Sequence, residues 1–267
     1  MLAWGIPLLR DLPWRNTRDP WAILVAEVML QQTQARRVIP KWERFLDDFP
    51  TPYACSEASL GNVLRRWQGL GYPRRARNLH LTATLVVERH GGALPDALDD
   101  LLALPGIGPY TARAVLAFAF ERDVAVVDTN VARVLARTSG QRLTPSRAQG
   151  LADSLVPLGK GWAWNQTMID LGAAHCRPVP DCDGCPIASG CRWHLAAHVE
   201  ADPADGSAHV STTQPRWEGS DRQARGRILA ALSAGTAVEV PLDDRIATGL
   251  IADGLVVAGP NGLELPD

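Results

Sequence analysis

The chain is 267 residues long, 46% apolar by residue type, with a formal net charge of −2. That length builds one large domain or two smaller ones around a substantial core. The lack of a long uncharged apolar run excludes a membrane-spanning helix, and the near-zero net charge excludes a uniformly basic polyanion binder. The charge is unevenly placed: residues 1–193 carry 22 Lys/Arg against 18 Asp/Glu, and residues 194–267 carry 5 against 11. The longer part is therefore where a polyanion is expected to bind. Only Lys41 and Lys160 among its cations are lysines; the arginine fork suits phosphate and base edges. Met1–Leu9 is apolar but short and has no basic start, which argues against a signal peptide and for a cytoplasmic protein. In that compartment clustered cysteines read as metal ligands rather than disulfides.

From residue 20 to 193 the chain reads as helices. Trp21–Leu30 is apolar on nearly every face and carries one charge, Glu27. A carboxyl in a dry helix has its ionised form disfavoured, so Glu27 is expected to hold a proton near neutral pH. Leu60, Val63, Leu64 and Trp67 follow the i, i+3, i+4, i+7 rule of an amphipathic helix. Asp96 is the expected N-cap of a helix over Ala97–Ala103, and Thr111–Phe120 is the next apolar helix. Between them Leu104-Pro-Gly106-Ile-Gly108-Pro-Tyr110 reads as a tight turn. Gly106 and Gly108 let the backbone approach a phosphate, and the helix N-terminus beyond them offers free N–H groups. Such a helix-hairpin-helix grips a DNA backbone without reading its sequence.

Val124–Val127 is an apolar run that stops at Asp128-Thr-Asn130, where a helix begins through Val131, Val134 and Leu135. Asp128 is expected as its N-cap, its charged form favoured by free N–H groups and the helix dipole. Glu27 and Asp128 are thus expected to shift in opposite directions, an acid and an anion suited to departure of a leaving group from a sugar. Four of the five cysteines form Cys176-x5-Cys182-x2-Cys185-x5-Cys191. That spacing suits either a 4Fe–4S cluster or a four-thiolate zinc site. Cys55 is isolated and reads as a small structural residue; His175 reads either as a group supporting the quartet's ligands or, preferred here, as a solvent-facing neighbour. Residues 200–214 are polar and aperiodic, a linker. Beyond it are expected a helix over Arg222–Ser233, a strand over Ala237–Val240, a helix over Leu242–Ala252 and a hairpin over Leu255–Leu265 that turns at Asn261-Gly262. That order is winged-helix-like, one helix short.

These motifs, in this order, closely resemble the helix-hairpin-helix DNA glycosylase superfamily and, within it, the adenine DNA glycosylases of MutY type. The carriers are Arg10-Asp-Leu-Pro-Trp14-Arg15, Glu27-Val-Met-Leu-Gln-Gln32-Thr-Gln34, Gly69-Leu70-Gly-Tyr72, Arg75-Ala-Arg-Asn-Leu79, Leu104–Gly108, Val127–Val131, Asn165–Gly172 and the quartet. The resemblance implies a mostly α, two-lobed glycosylase domain over residues 1–199 with an iron–sulfur cluster loop at 176–191. The linker 200–214 and a small α+β module over 215–267 would follow. It implies hydrolysis of the N-glycosidic bond of adenine mispaired with 8-oxoguanine or guanine in double-stranded DNA, as a step of base excision repair. The enzyme would be a nucleoid-associated monomer whose C-terminal module is free for a repair partner.

The resemblance also implies roles. Glu27 would protonate the departing adenine at N7, and Asp128, supported by Asn130, would stabilise the oxocarbenium-like sugar. Tyr110 stands where bifunctional relatives carry a Schiff-base lysine; a phenol forms no imine, which implies a monofunctional enzyme. Arg10, Trp14, Arg15 and Gln166 would hold the flipped base, while Gln32, Leu70 and Tyr72 would lie near the opposite base. The quartet would hold a 4Fe–4S cluster.

Three departures from the family pattern carry consequences. The first cysteine gap is one residue shorter than the family's usual six, which bears on cluster geometry. Pro73 replaces a second tyrosine, removing one backbone N–H and one ring beside the opposite base. The tail lacks the family's Nudix-like domain and, being acidic, is expected to clamp phosphates poorly; preference for 8-oxoguanine over guanine is then expected to be small. Two other readings compete. A thymine- or uracil-removing mismatch glycosylase on the same scaffold is disfavoured by Gln166 and Trp14. A non-catalytic DNA-binding protein with a structural four-cysteine metal site is disfavoured by retention of both carboxyls.

Overall fold

Short polar side chains and prolines punctuate the chain into helices. Asp19, Thr51, Ser59, Asp128, Thr144, Ser220 and Asp244 each accept a backbone N–H at a helix start, the position their side chains favour. Pro20, Pro52 and Pro145 occupy first helical positions, where no N–H is needed. In chain order the elements are α1 (Leu2–Gly5), α2 (Pro20–Leu30), α3 (Ala35–Asp48), α4 (Pro52–Glu57), α5 (Leu60–Trp67), α6 (Arg74–His90) and α7 (Leu98–Leu102). They continue as α8 (Pro109–Phe118), α9 (Thr129–Ser139), α10 (Pro145–Leu155), α11 (Gly161–Ala174), α12 (Arg192–Leu195), α13 (Asp221–Ser233), α14 (Arg245–Ala252), β1 (Val257–Gly259) and β2 (Gly262–Glu264).

The computed structural model describes residues 1–199, 201–210, 216–236, 238, 241, 244–260 and 262–267. The expected strand over 237–240, apart from Val238, and the turn residue Asn261 lie outside the described residues, as does the start of the helix expected from Leu242. Among the boundaries that differ from those expected are the starts of two helices. Ala97, not Asp96, stands at the cap of α7, and Pro109 opens α8 two residues before the apolar run begins.

The chain forms two compact units, each from two stretches: unit 1 from Met1–Arg18 and Pro109–Thr213, unit 2 from Asp19–Gly108 and Gln214–Asp267. Unit 1 is centred on α9 against α11, with Val131, Val134, Leu135, Met168 and Leu171 in its core. Its N-terminal arm lies so close to α11 that a Cβ on Gly5 would fall 2.2 Å from the Thr167 methyl. The described part of the expected linker, residues 201–210, packs on this unit instead of leaving it. Asp202 pairs with Arg137 at 2.6 Å, Ala204 joins the core, and the Ala208 N–H donates to the Leu143 carbonyl at 2.9 Å. Side-chain bonds rather than an apolar stripe hold this segment, so periodicity gives no sign of it.

Unit 2 is built around α2. The indole N–H groups of Trp21 and Trp42 donate to the Phe49 and Ala22 carbonyls at 2.9 and 2.8 Å, and Phe45 packs edge-on against Phe49 and Trp67. The tail, read from sequence as a separate module, belongs to this unit. Gln68 donates to the Leu229 carbonyl and the Ser233 hydroxyl, and the Gly61 N–H donates to the Pro266 carbonyl at 2.8 Å. Asp253 joins Arg74 of α6 to Arg225 of α13. Leu229, Leu250, Leu255 and Leu263 are buried. The hairpin forms as expected, with Ala258 opposite Leu263.

Candidate active site and cysteine centre

In unit 1 the extended segment that delivers Asp128 is fixed by Asn165 of α11. Its side-chain oxygen accepts from the Val126 N–H and its amide donates to the Val124 carbonyl, both at 2.8 Å. Asp128 then caps α9: one carboxylate oxygen accepts the Val131 N–H and the other the Asn130 amide, both at 2.7 Å. Behind it, Arg133 donates to the Asn130 oxygen at 2.7 Å and to the Cys176 carbonyl at 2.8 Å. The cap is where the sequence put it, but its electrostatic outcome is the reverse. Burial pushes the Asp128 carboxyl up from its ordinary range, and the bonds from Val131 and Asn130 and the Arg133 charge only partly oppose it. The expectation of opposed shifts at Glu27 and Asp128 is corrected on the Asp128 side: desolvation outweighs the cap.

The N-terminal arm is held by a residue the sequence reading passed over. Asp170 of α11 accepts both terminal nitrogens of Arg15, at 2.7 and 2.9 Å, and the Arg10 backbone and side chain besides. Burial opposes the charge, but these donors hold the Asp170 carboxyl below its usual value. Arg15 is 7% exposed and committed to Asp170, so it positions the arm. Trp14 and Gln166 are buried in the same unit, and Arg10 keeps an exposed flank. Tyr110 is half-buried in the first turn of α8.

In unit 2 Glu27 lies in the third turn of α2 and is 4% exposed. The end of that helix is fastened by Arg75, a second residue without a sequence-assigned role. Its guanidinium donates to the carbonyls of Val28, Met29 and Gln31 and, across the turn, to those of Leu70 and Gly71. Burial lowers its pKa to about 10, which leaves it charged at neutral pH. Leu70 is buried and supports the turn from within. Gln32 and Tyr72, at either side of this clamp, both have left-handed backbones, with φ of 57° and 48°. Gly106 needs its glycine: at φ +75° a Cβ would stand 2.9 Å from Asn78. Gly108 has open space around it.

The four thiols of Cys176, Cys182, Cys185 and Cys191 line one small cavity in unit 1. Arg137 donates to the Cys176 sulfur at 3.4 Å, and the Cys191 thiol donates to the Arg137 carbonyl at 3.3 Å. Burial raises Cys176, Cys182 and Cys185, and neighbouring cysteines raise them further. Thiols held in one cavity, three of them with ionisation disfavoured, fit a bound cation, which reverses that repulsion. His175 is not the solvent-facing neighbour expected. It packs against Trp4, and its Nδ1 is buried without a hydrogen bond, as is that of His194. One candidate ligand atom each from Cys182, His194 and His198 lies within 4.8 Å of the other two. The His175 Nδ1 faces the Asp181 carboxylate at 3.7 Å, whereas the unbonded His194 nitrogen beside the thiols fits a centre completed by a metal.

Residues 25–156 match the family described as HhH-GPD superfamily base excision DNA repair protein. Over 284 aligned residues the chain is 40% identical to the adenine DNA glycosylase of Mycobacterium tuberculosis, with 98% of this chain and 90% of that one covered. The chain belongs to the adenine DNA glycosylase family. A thermostable thymine-DNA glycosylase superposes with a TM-score of 0.68 at 30% identity, covering 73% of this chain and 93% of that one. An endonuclease III trapped as a covalent intermediate with DNA superposes at 0.66 and 25% identity, covering 74% and 93%. The helical fold class expected from the sequence is that of these structures. The likeness to the mycobacterial relative continues through the tail, whereas the solved structures cover about three quarters of the chain.

Proposed function

We propose that the protein is a monofunctional, monomeric adenine DNA glycosylase of base excision repair, acting on adenine mispaired with 8-oxoguanine or guanine in double-stranded DNA. The observation that carries the reading is Asp128, a desolvated carboxyl fixed by two donors at the start of α9. A poorly hydrated carboxylate stabilises a developing sugar cation more strongly than a hydrated one. In the assigned reaction Glu27 gives its proton to adenine N7 as the bond from C1′ to N9 breaks. The cationic sugar is stabilised by Asp128, and a water oxygen then bonds to C1′ and sheds its proton. Arg10, Trp14 and Gln166 are assigned to the extruded adenine and Arg15 to holding the arm. Gln32 and Tyr72 are assigned to the base opposite, Leu70 to the support beneath them, and Gly106 and Gly108 to the DNA backbone. The quartet is assigned to a 4Fe–4S cluster, which would order its loop for DNA contact.

Single-turnover excision on duplexes carrying A, T or U opposite G, 8-oxoguanine or C tests the reading. Adenine release is expected, and thymine or uracil release alone would move the enzyme to the specificity named for its thymine-DNA glycosylase neighbour. Glu27→Gln should keep duplex affinity and lose excision by about 100-fold or more. With Tyr110 in place of an amine, borohydride should trap little covalent complex. Purified protein should be brown with about four irons per chain; colourless protein with stoichiometric zinc would replace the cluster assignment.

A further inference from the structure

The sulfurs of the quartet are unequally provided with hydrogen-bond donors. Arg137 donates to Cys176 at 3.4 Å, and the backbone N–H groups of Ile187 and Ala188 bond the Cys185 sulfur. Cys182 is the least enclosed of Cys176, Cys182 and Cys185, and the segment before it has few donors to offer. Arg177-Pro-Val-Pro-Asp181 contains two prolines, which carry no N–H, and the Asp181 N–H is committed to the His175 carbonyl at 2.9 Å. The Cys182 sulfur faces an imidazole instead, with His198 Nε2 at 3.9 Å. The chain after α12 turns back to bring that ring in. Ala197 and His198 both take left-handed backbones, with φ of 50° and 57°, a region that residues with a Cβ seldom occupy. Their N–H groups donate to the His194 and Trp193 carbonyls at 2.9 and 3.3 Å. The imidazole then stacks on Trp193, with centroids 4.1 Å apart and planes 25° apart. The Arg137 guanidinium lies 5.0 Å from the same indole ring. One tryptophan therefore steadies both the donor to Cys176 and the ring that faces Cys182.

Between a free thiol and an imidazole either group can donate. A sulfur bound to a metal has lost its proton and only accepts, so the ring must supply the N–H, of which a neutral imidazole has one. Such a bond acts on the bound group itself. The reduced centre carries one more negative charge than the oxidised one, so a donor on its sulfur stabilises the reduced form more and raises the reduction potential. We propose that His198 donates its Nε2–H to the Cys182 sulfur of the loaded centre and sets its reduction potential, with Trp193 as the positioning residue that aims the ring. His198 thereby makes an electron harder to remove where the quartet is least enclosed. The assignment rests on the 4Fe–4S reading of the quartet and is independent of which base is excised.

The test uses the full-length, iron-loaded protein and reads the midpoint of its one-electron couple, poised between dithionite and ferricyanide, by absorbance and electron paramagnetic resonance. His198→Phe keeps a ring for Trp193 and removes the N–H. Its reduction equilibrium should move about tenfold toward the oxidised form, or ~59 mV for one electron, at unchanged iron content. His198→Gln, whose amide N–H falls where the imidazole Nε2 stands, should restore the wild-type midpoint. His194→Phe should leave it in place, although the two rings lie only 5.5 Å apart. A wild-type midpoint in iron-loaded His198→Phe would overturn the proposal, and so would an equal shift in His194→Phe, which would transfer the role to the other ring. Should His198→Phe fail to hold iron, wild-type protein labelled with 15N-histidine decides. A ring nitrogen bonded to a cluster sulfur should show hyperfine coupling to the paramagnetic cluster, and absence of that coupling would overturn the proposal. Wild-type protein that carries zinc and no iron would instead defeat the cluster reading beneath it, a result that metal analysis gives before any variant is made.

Discussion

Asp128 carries two opposing influences that a sequence presents unequally. The Asp-Thr-Asn step after an apolar run announces a cap, and the cap forms; the desolvation that overrides it depends on which segments close around the carboxyl, which no local pattern encodes. The consequence is measurable. If the Asp128 anion is required, excision should fall on the acid side with a midpoint above the ordinary value of about 3.9. Asn130→Ala removes one of the donors that hold this carboxyl down, so it should move that acid limb to still higher pH. A limb that stays in place in a pH–rate profile would take Asn130 out of the charge balance. Cys55 makes a simpler case. It is fully buried, and burial pushes its thiol up to about 12, so at neutral pH it should resist alkylation by iodoacetamide until the protein unfolds. Fast labelling of Cys55 in the native protein would contradict its structural role.

Elements with one apolar face were legible from spacing alone, and α5 runs over the same Leu60–Trp67 that the pattern marks. What spacing missed were charged side chains turned inward to fasten one element to another. Arg75 sits in a motif noted for its resemblance, yet its work is to hold the α2 terminus to the Gly69–Tyr72 turn. Arg133 and Asp170 are of the same kind, and in each the hint was a charge on an otherwise buried helix face. Arg75→Ala strips donors from several buried carbonyls. It should destabilise the protein by about 3 kcal/mol or more, and excision should fall with it because Glu27 rides on the loosened helix. Thermal melts with single-turnover rates check this; a variant as stable as wild type would show that water replaces the guanidinium.

At the scale of the molecule, arginine–aspartate pairs recur as the means of attaching peripheral segments: Asp170 for the N-terminal arm, Asp202 for the stretch after the quartet and Asp253 for the tail. Arginines hold each of these carboxyls below its usual range, against burial at Asp170 and Asp202. Their contribution is therefore complete above the unfolded value of about 3.9 and is lost as pH falls through the lowered folded values. Asp128, raised by burial, works in the opposite sense, one group against three. Urea unfolding should show little change from pH 7 to 5 and a decline below about pH 4; a profile flat to pH 3 would leave the pairs without energetic weight. The discontinuous units have a further consequence, for synthesis and refolding. The chain passes from one unit to the other at 18–19, 108–109 and 213–214, so the arm made first waits for helices made more than a hundred residues later. The lobe bearing Glu27 likewise lacks part of its packing until the last strand emerges. Such contacts of long sequence separation slow folding relative to locally wired helical bundles, and stopped-flow refolding should be correspondingly slow. Nascent chains should gain protease resistance late, close to the release of the C-terminus.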